Sequence, residues 1–186
     1  MGHRKGDAWK QWLKTLFLLD FRLLRFINVT YEGKQWRFPL ILSDKAMRAL
    51  DKLHGKEGCC DIPNAYIAAS PLWLVLREKS ANYAIYCNQL QLDMSSEDEM
   101  LATIYHELGH YFCGHLEQPD DELSKEEKEN KEFEADAFAV RFGFGEAMIS
   151  TLKCSCEYGR EPGTVPISDF SAARIRRIRR ALQAGG

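Results

Sequence analysis

The sequence predicts an α+β fold in which long helices pack on a small mixed or antiparallel sheet, and three observations carry that expectation. Residues 28–42 set β-branched and aromatic side chains on either side of Glu32-Gly33-Lys34, a turn sequence, which predicts a hairpin. Ser96-Glu97-Asp98-Glu99 is a capping box with added negative charge, the signature of a helix start, and the helix it opens is expected to run to about Gly114. A third segment, Glu132 to Ala139, has the composition of a second helix. A chain of 186 residues with 45% hydrophobic and 28% charged side chains is long enough for a single domain with a sizeable core. Its net charge of −2 excludes a global attraction to nucleic acid or to acidic membranes.

In chain order, residues 1–27 are expected to hold an N-terminal amphipathic helix, with Trp9, Trp12, Leu13, Leu16, Phe17, Leu23, Leu24 and Ile27 near one stripe. Lys10, Lys14, Arg22 and Arg25 interrupt the apolar run well short of the roughly 18–20 residues a membrane span needs. Two uses of residues 8–27 stay open: a membrane-surface or partner-docking helix, or a helix that covers the protein's own core. Residues 28–95 are expected to be mainly sheet with one short helix, capped by Ser43-Asp44, running to about His54 and stopped by Gly55. Ala65–Ser70 and Leu72–Arg77 read as strand-like or a mixture, with Pro63 and Pro71 as breaks. Tyr83–Leu92 reads as one or two strands, either at an edge where an extended peptide could add or in the interior. Residues 96–143 hold the two long helices. The acidic stretch between them reads as a solvated loop, with the second helix starting after Ser124. Residues 144–186 are expected to form C-terminal helices, with Cys154–Pro166 a loop and Asp169–Leu182 a packed helix whose five arginines form a basic outer face.

His106-Glu107-Leu108-Gly109-His110 is the motif with the sharpest chemistry. In a helix, residues i and i+4 lie one above the other, so both imidazoles reach one metal ion, and zinc suits them. Glu107, between them, is placed to act as a general base toward a water molecule. A hydrolytic zinc site takes three protein ligands and keeps one position open, so a third ligand must come from elsewhere. Glu132 is the choice. Asp136, at i+4 on the same face, is expected to accept the other ring N–H of a ligand histidine. Glu134 falls about 200° around the helix and is expected to point away. The segment is expected to pack through Phe133, Ala137, Phe138 and Val140.

H-E-L-G-H followed about twenty residues later by E-x-E-A-D-x-F-A resembles the gluzincin branch of zinc metallopeptidases. Within it, His106-Glu107-Leu108-Gly109-His110-Tyr111-Phe112-Cys113-Gly114-His115 is similar to the ImmA/IrrE-like metallopeptidases. Asp136, often Asn in that group, resembles the Ste24/HtpX-type proteases, as does an Arg-Ile near the start of the last helix; those proteases span membranes, and this chain shows no span. The resemblance covers about residues 80–145. It implies a zincin-like fold, one zinc ion per chain held by His106, His110 and Glu132, with Glu107 as catalytic base. It also implies regulated, site-specific cleavage of a protein substrate, such as a repressor-like partner.

His115 does not fit a third-histidine arrangement, because the position ten after His106 is Leu116 and the glycine position is taken by Cys113. It is expected to end the active-site helix; Cys113, three residues after His110, is expected to be a small buried residue, with a place near the metal as the alternative. His115 and Tyr158 are the candidate transition-state stabilisers. The six cysteines, with Cys59-Cys60 adjacent and Cys154-Ser155-Cys156 closely spaced, are poor frames for disulfides and predict reduced thiols in a cytoplasmic protein without a signal peptide. A C-x-C redox or metal role for Cys154 and Cys156 stays open. The rival reading is a zincin-fold regulator that binds protein without cleaving it, associated with a membrane surface or nucleic acid through residues 8–27 or the Arg-rich helix. Intact Glu107 and the absence of a stacking aromatic pattern weigh against it.

Overall fold

The computed structural model describes residues 22–53, 65–69, 83–117, 122–157 and 168–185. Among them are four strands, β1 (Arg22–Tyr31), β2 (Lys34–Leu42), β3 (Ala65–Ala69) and β4 (Tyr83–Cys87). Six helices accompany them: α1 (Asp44–Leu53), α2 (Gln89–Met94), α3 (Glu97–Phe112), α4 (Lys125–Arg141), α5 (Gly145–Glu157) and α6 (Asp169–Gly185). The α+β class is as expected.

The sheet is mixed, in the order β1-β2-β4-β3. β1 and β2 pair antiparallel from Arg22 opposite Leu42 to Tyr31 opposite Lys34. Their two-residue turn has Glu32 at φ 50° and Gly33 at φ 72°. Both central residues of a tight hairpin turn need positive φ to match the strand twist, and glycine takes that conformation at little cost. β2 runs parallel to β4, with Leu40 opposite Ile85 and Leu42 opposite Cys87. β4 is therefore interior, and its residues Ala84 to Cys87 are fully buried.

Several expectations change here. Residues 22–27 are the first half of β1, not the end of a helix: Phe26, Ile27 and Val29 pair with β2, and a cross-strand ladder outweighs a loose helical stripe. Residues 8–21, Leu72–Arg77 and Tyr158 lie outside the described residues. Tyr83–Leu92 gives one strand and then turns helical at Gln89. Cys154 to Glu157 continue α5 and are not loop.

Contacts among the described residues fall into two compact units: β1, β2, α1 and β4 belong to one, α3 to α6 to the other, and β3 divides after Ile67. In the first, Phe38, Leu40, Ile41, Met47 and Ile85 are buried. Ser43 caps α1 by accepting from Ala46 N at 3.1 Å, while its own N–H donates to Cys87 O at 3.0 Å, tying the cap to β4. In the second, Ala102, Met148, Ile149, Leu152, Ile175 and Ile178 form a core shared by α3, α5 and α6. Each such large apolar side chain contributes about 1.5–3 kcal/mol on burial.

The capping box at the start of α3 is formed in full: Ser96 Oγ accepts from Glu99 N at 3.3 Å, and Glu99 Oε2 accepts from Ser96 N at 2.8 Å. Ser150 of α5 donates to the other carboxylate oxygen at 2.6 Å, and these hydrogen bonds hold the Glu99 carboxyl below its usual range. α4 starts the same way, with Ser124 and Glu127. Its buried side differs by one step from expectation: Ala135, Asp136, Phe138 and Ala139 are buried, whereas Ala137 is exposed.

Candidate metal centre

α3 and α4 pack closely because residue 109 has no side chain. A Cβ there would sit 2.7 Å from Ala135 Cα and 3.0 Å from Ala135 O, distances that backbone atoms cannot relieve locally. Gly109 thus lets α4 lie against the turn of α3 that carries both motif histidines.

Across that seam, His106 Nε2 and His110 Nε2 are 3.2 Å apart. Glu132 Oε2 lies 3.4 Å from the first and Glu132 Oε1 lies 3.5 Å from the second. Four ligands held tetrahedrally at the 2.0–2.1 Å typical of zinc would be separated by about 3.3 Å. The His–His separation and the approach of each histidine to its nearer Glu132 oxygen are close to that figure, the two histidines facing different oxygens of the one carboxylate, and the donor set of two imidazoles and a carboxylate suits zinc. Two imidazole nitrogens this close also need a proton or a cation between them, since two bare lone pairs repel.

The surrounding hydrogen bonds fix how these ligands are turned. His106 Nδ1 lies 3.0 Å from Asp136 Oδ1, and with Nε2 turned toward the metal position its Nδ1–H donates to that oxygen. Burial favours a neutral His106, but the hydrogen bonds to Asp136 and Glu132 outweigh it and raise its pKa to about 9 in the metal-free protein. Burial likewise works against the ionised carboxyls of Glu132 and Asp136. Both are nevertheless held below the ordinary range, Glu132 well below, by the histidines and by Arg174. Arg174 lies in α6, where its Nη1 is 3.0 Å from Glu132 Oε2. This arginine was expected on a solvated basic face; Arg176, Arg177, Arg179 and Arg180 are there, but Arg174 is not. The signal that could have found it is spacing: Arg174 falls four residues after Phe170 and four before Ile178, on the apolar side of the helix.

His110 has a different partner. Its Nδ1 is 3.0 Å from His115 Nδ1, and His115 Nε2 is 2.8 Å from Glu134 Oε2. With His110 Nε2 turned toward the metal position, its Nδ1–H donates to His115, and His115 Nε2–H donates to Glu134. Burial lowers the His115 pKa more than Glu134 raises it, which keeps the ring neutral and able to fill both roles. His115 does follow α3, in a short 3-10 turn, but it is a buried hydrogen-bond relay and not merely a helix end. Glu134 lies outside the Glu132 trio as expected, yet its carboxylate closes this chain. Cys113 is exposed, not buried.

Glu107 lies on the same turn as the histidines, and its Oε2 accepts from the backbone N–H of Ile67 in β3 at 2.9 Å. That anchor joins residues 40 positions apart and had no signal in the sequence.

The fold and this cluster together define a helix-pair site with a candidate metal-ligand trio and an adjacent tethered carboxylate. The family model of the IrrE N-terminal-like domain, a peptidase family, matches residues 78–152, which take in β4, α3, α4 and most of α5. No curated protein and no solved structure matches the chain.

Proposed function

We propose that the protein is a zinc-dependent metallopeptidase of the gluzincin type that cleaves a peptide bond in a protein substrate. The observation that carries this reading is the convergence of His106, His110 and Glu132 within 4.8 Å of one another, with Glu107 beside them. The likeness of residues 78–152 to a peptidase family supports it independently of the geometry.

His106, His110 and Glu132 would hold the ion, which when bound supplies Lewis-acid polarisation of the scissile carbonyl and of the attacking water. Glu107, with Oε2 anchored by Ile67 N, uses its other oxygen to take the water's proton and then to deliver it to the leaving nitrogen. Asp136 and His115 hold the ligand rings so that Nε2 of each faces the ion. Arg174 offsets the charge of the buried Asp136 and the half-buried Glu132, which would otherwise make the site too negative.

Cleavage of a chosen regulatory protein, and not general digestion, is part of the proposal and rests on similarity to the IrrE-like domain. Among the described residues no helix is long and apolar enough to cross a membrane.

The test is Glu107→Gln, which keeps an oxygen able to accept from Ile67. The variant should retain its zinc while hydrolysis of a cleavable protein substrate falls by about 10²–10⁴-fold, the range for removing a general base. Hydrolysis at the parental rate would refute the role of Glu107. A parent that carries zinc and binds the substrate without cutting it would favour the binding-protein reading.

A further inference from the structure

Apart from the His106 trio, the described residues hold one more set of metal-type donors: a ligand atom each from Cys113, His115 and Glu134, all within 4.8 Å of one another. The local fold builds it. Cys113 caps α3, and Gly114 at φ 76° reverses the chain so that Cys113 and His115 face the same flank of α4. Lys131 Nζ donates to His115 O at 3.1 Å and pins this turn to α4, the helix that carries Glu134. His115 forms the buried floor, while Cys113 and Glu134 are exposed at the mouth.

We propose that Cys113, His115 and Glu134 form a second site for a divalent metal of the zinc type, open to solvent, whose filling opposes the first site. A thiolate, an imidazole and a carboxylate are a zinc-type donor set, and solvent access leaves the fourth position for water. The site itself stands without the proposed function; the opposition between sites rests on that reading.

The opposition follows from counting protons on the His110–His115 contact. With the first site filled, His110 Nδ1–H donates to a bare His115 Nδ1 across 3.0 Å. A metal on His115 Nε2 displaces the proton that nitrogen gives to Glu134, and a neutral ring must then carry it on Nδ1. Two N–H groups would face each other, so the contact breaks and His110 loses its acceptor. Cys113 releases its thiol proton to solvent as the metal–sulfur bond forms. Loss of such a supporting partner typically weakens metal binding by about 10–100-fold.

Titration of the full chain with cobalt(II), followed by absorbance, separates the two sites. The first has no sulfur; the second adds a thiolate-to-cobalt charge-transfer band in the near ultraviolet. The band should appear in the parent as the second equivalent binds, disappear in Cys113→Ser, and persist in Glu132→Ala, which loses only the first equivalent. Cobalt should also bind the second site about tenfold more tightly in Glu132→Ala than in the parent, the low end of that outer-partner range. This difference should survive high salt, because it arises from a hydrogen bond and not from screened repulsion between ions.

Absence of the band in the parent, or its persistence in Cys113→Ser, would overturn the second site. Equal affinities, or a difference abolished by salt, would overturn the opposition between sites. A parent that gave the band but bound nothing at the Glu132-dependent site would refute the proposed function and leave the second site standing.

Discussion

Arg174 clasps Asp136 with two nitrogens, Nε to Oδ2 at 2.8 Å and Nη2 to Oδ1 at 2.7 Å, and both side chains are largely shut away from solvent. The planar guanidinium matches a carboxylate in this paired geometry, which a lysine ammonium cannot reproduce. Its remaining nitrogen reaches Glu132, so α6 braces a candidate ligand and the residue that orients His106.

Arg174→Met should therefore lower the unfolding free energy by about 3–5 kcal/mol, the usual cost of stripping one partner from a buried ion pair. Chemical denaturation of parent and variant would measure it. Arg174→Lys should recover only part of the loss, and zinc affinity should fall in both. An unchanged denaturation midpoint in Arg174→Met would show that Asp136 does not need this partner.

Gly109→Ala should cost at least about 1–3 kcal/mol, the usual range for forcing extra atoms into a packed interface. The new methyl would meet backbone atoms of Ala135, so α4 must move away and carry Glu132 with it. Metal affinity should drop along with the melting temperature. An alanine variant that kept both would mean the helix seam has slack the structure does not show.

Glu132 and Glu134 separate ligand from relay. Elemental analysis of untagged protein, dialysed until the solvent-open Cys113 site has released its metal, should find about one zinc per chain in the parent and in Glu134→Ala, and little in Glu132→Ala. Loss of metal in the Glu134 variant alone would exchange their roles.

The pKa of His106 gives a pH dependence with a definite sign. In the metal-free protein it is raised to about 9, against 6.5 for a free imidazole, so the proton on His106 stabilises the fold. That contribution is complete below the unfolded value and is lost as pH rises through about 9, so metal-free protein should become less stable from neutral to alkaline pH. Metal must displace the same proton, so zinc affinity should rise by about tenfold per pH unit up to that value. Calorimetry of the apo protein and competition with a chelator across this range would read the two opposite slopes. An affinity that did not vary with pH would mean His106 is neutral before metal arrives.

Cys87 and Cys113 should differ in reactivity. Burial, reinforced by Asp44, pushes the Cys87 thiol up to about 11; partial burial and the Glu134 carboxylate raise the Cys113 thiol as well, but Cys113 is exposed to reagent whereas Cys87 is buried. Timed alkylation at mild alkaline pH, mapped by mass spectrometry, should label Cys113 well before Cys87. Equal rates would imply that β4 opens readily.

What the sequence determined by itself is what local periodicity and short-range chemistry encode. The hairpin turn at Glu32-Gly33, the capping box that starts α3 and the i,i+4 spacing of His106 and His110 each depend on neighbours within a few residues. The same rule put Glu132 and Asp136 on one face of α4, and both converge on the motif histidines. Tertiary structure alone decided the relations between segments far apart in the chain. Phe26 and Ile27 became strand because β2 was there to pair with them; Arg174 entered the site because α6 packs against α4; Glu107 found its anchor in Ile67 of β3. His115 changed from a helix end to a relay because Gly114 folds it back beneath His110 and Glu134. A buried polar group takes whichever partner the fold brings within about 3 Å, and sequence spacing does not reveal a partner on another element.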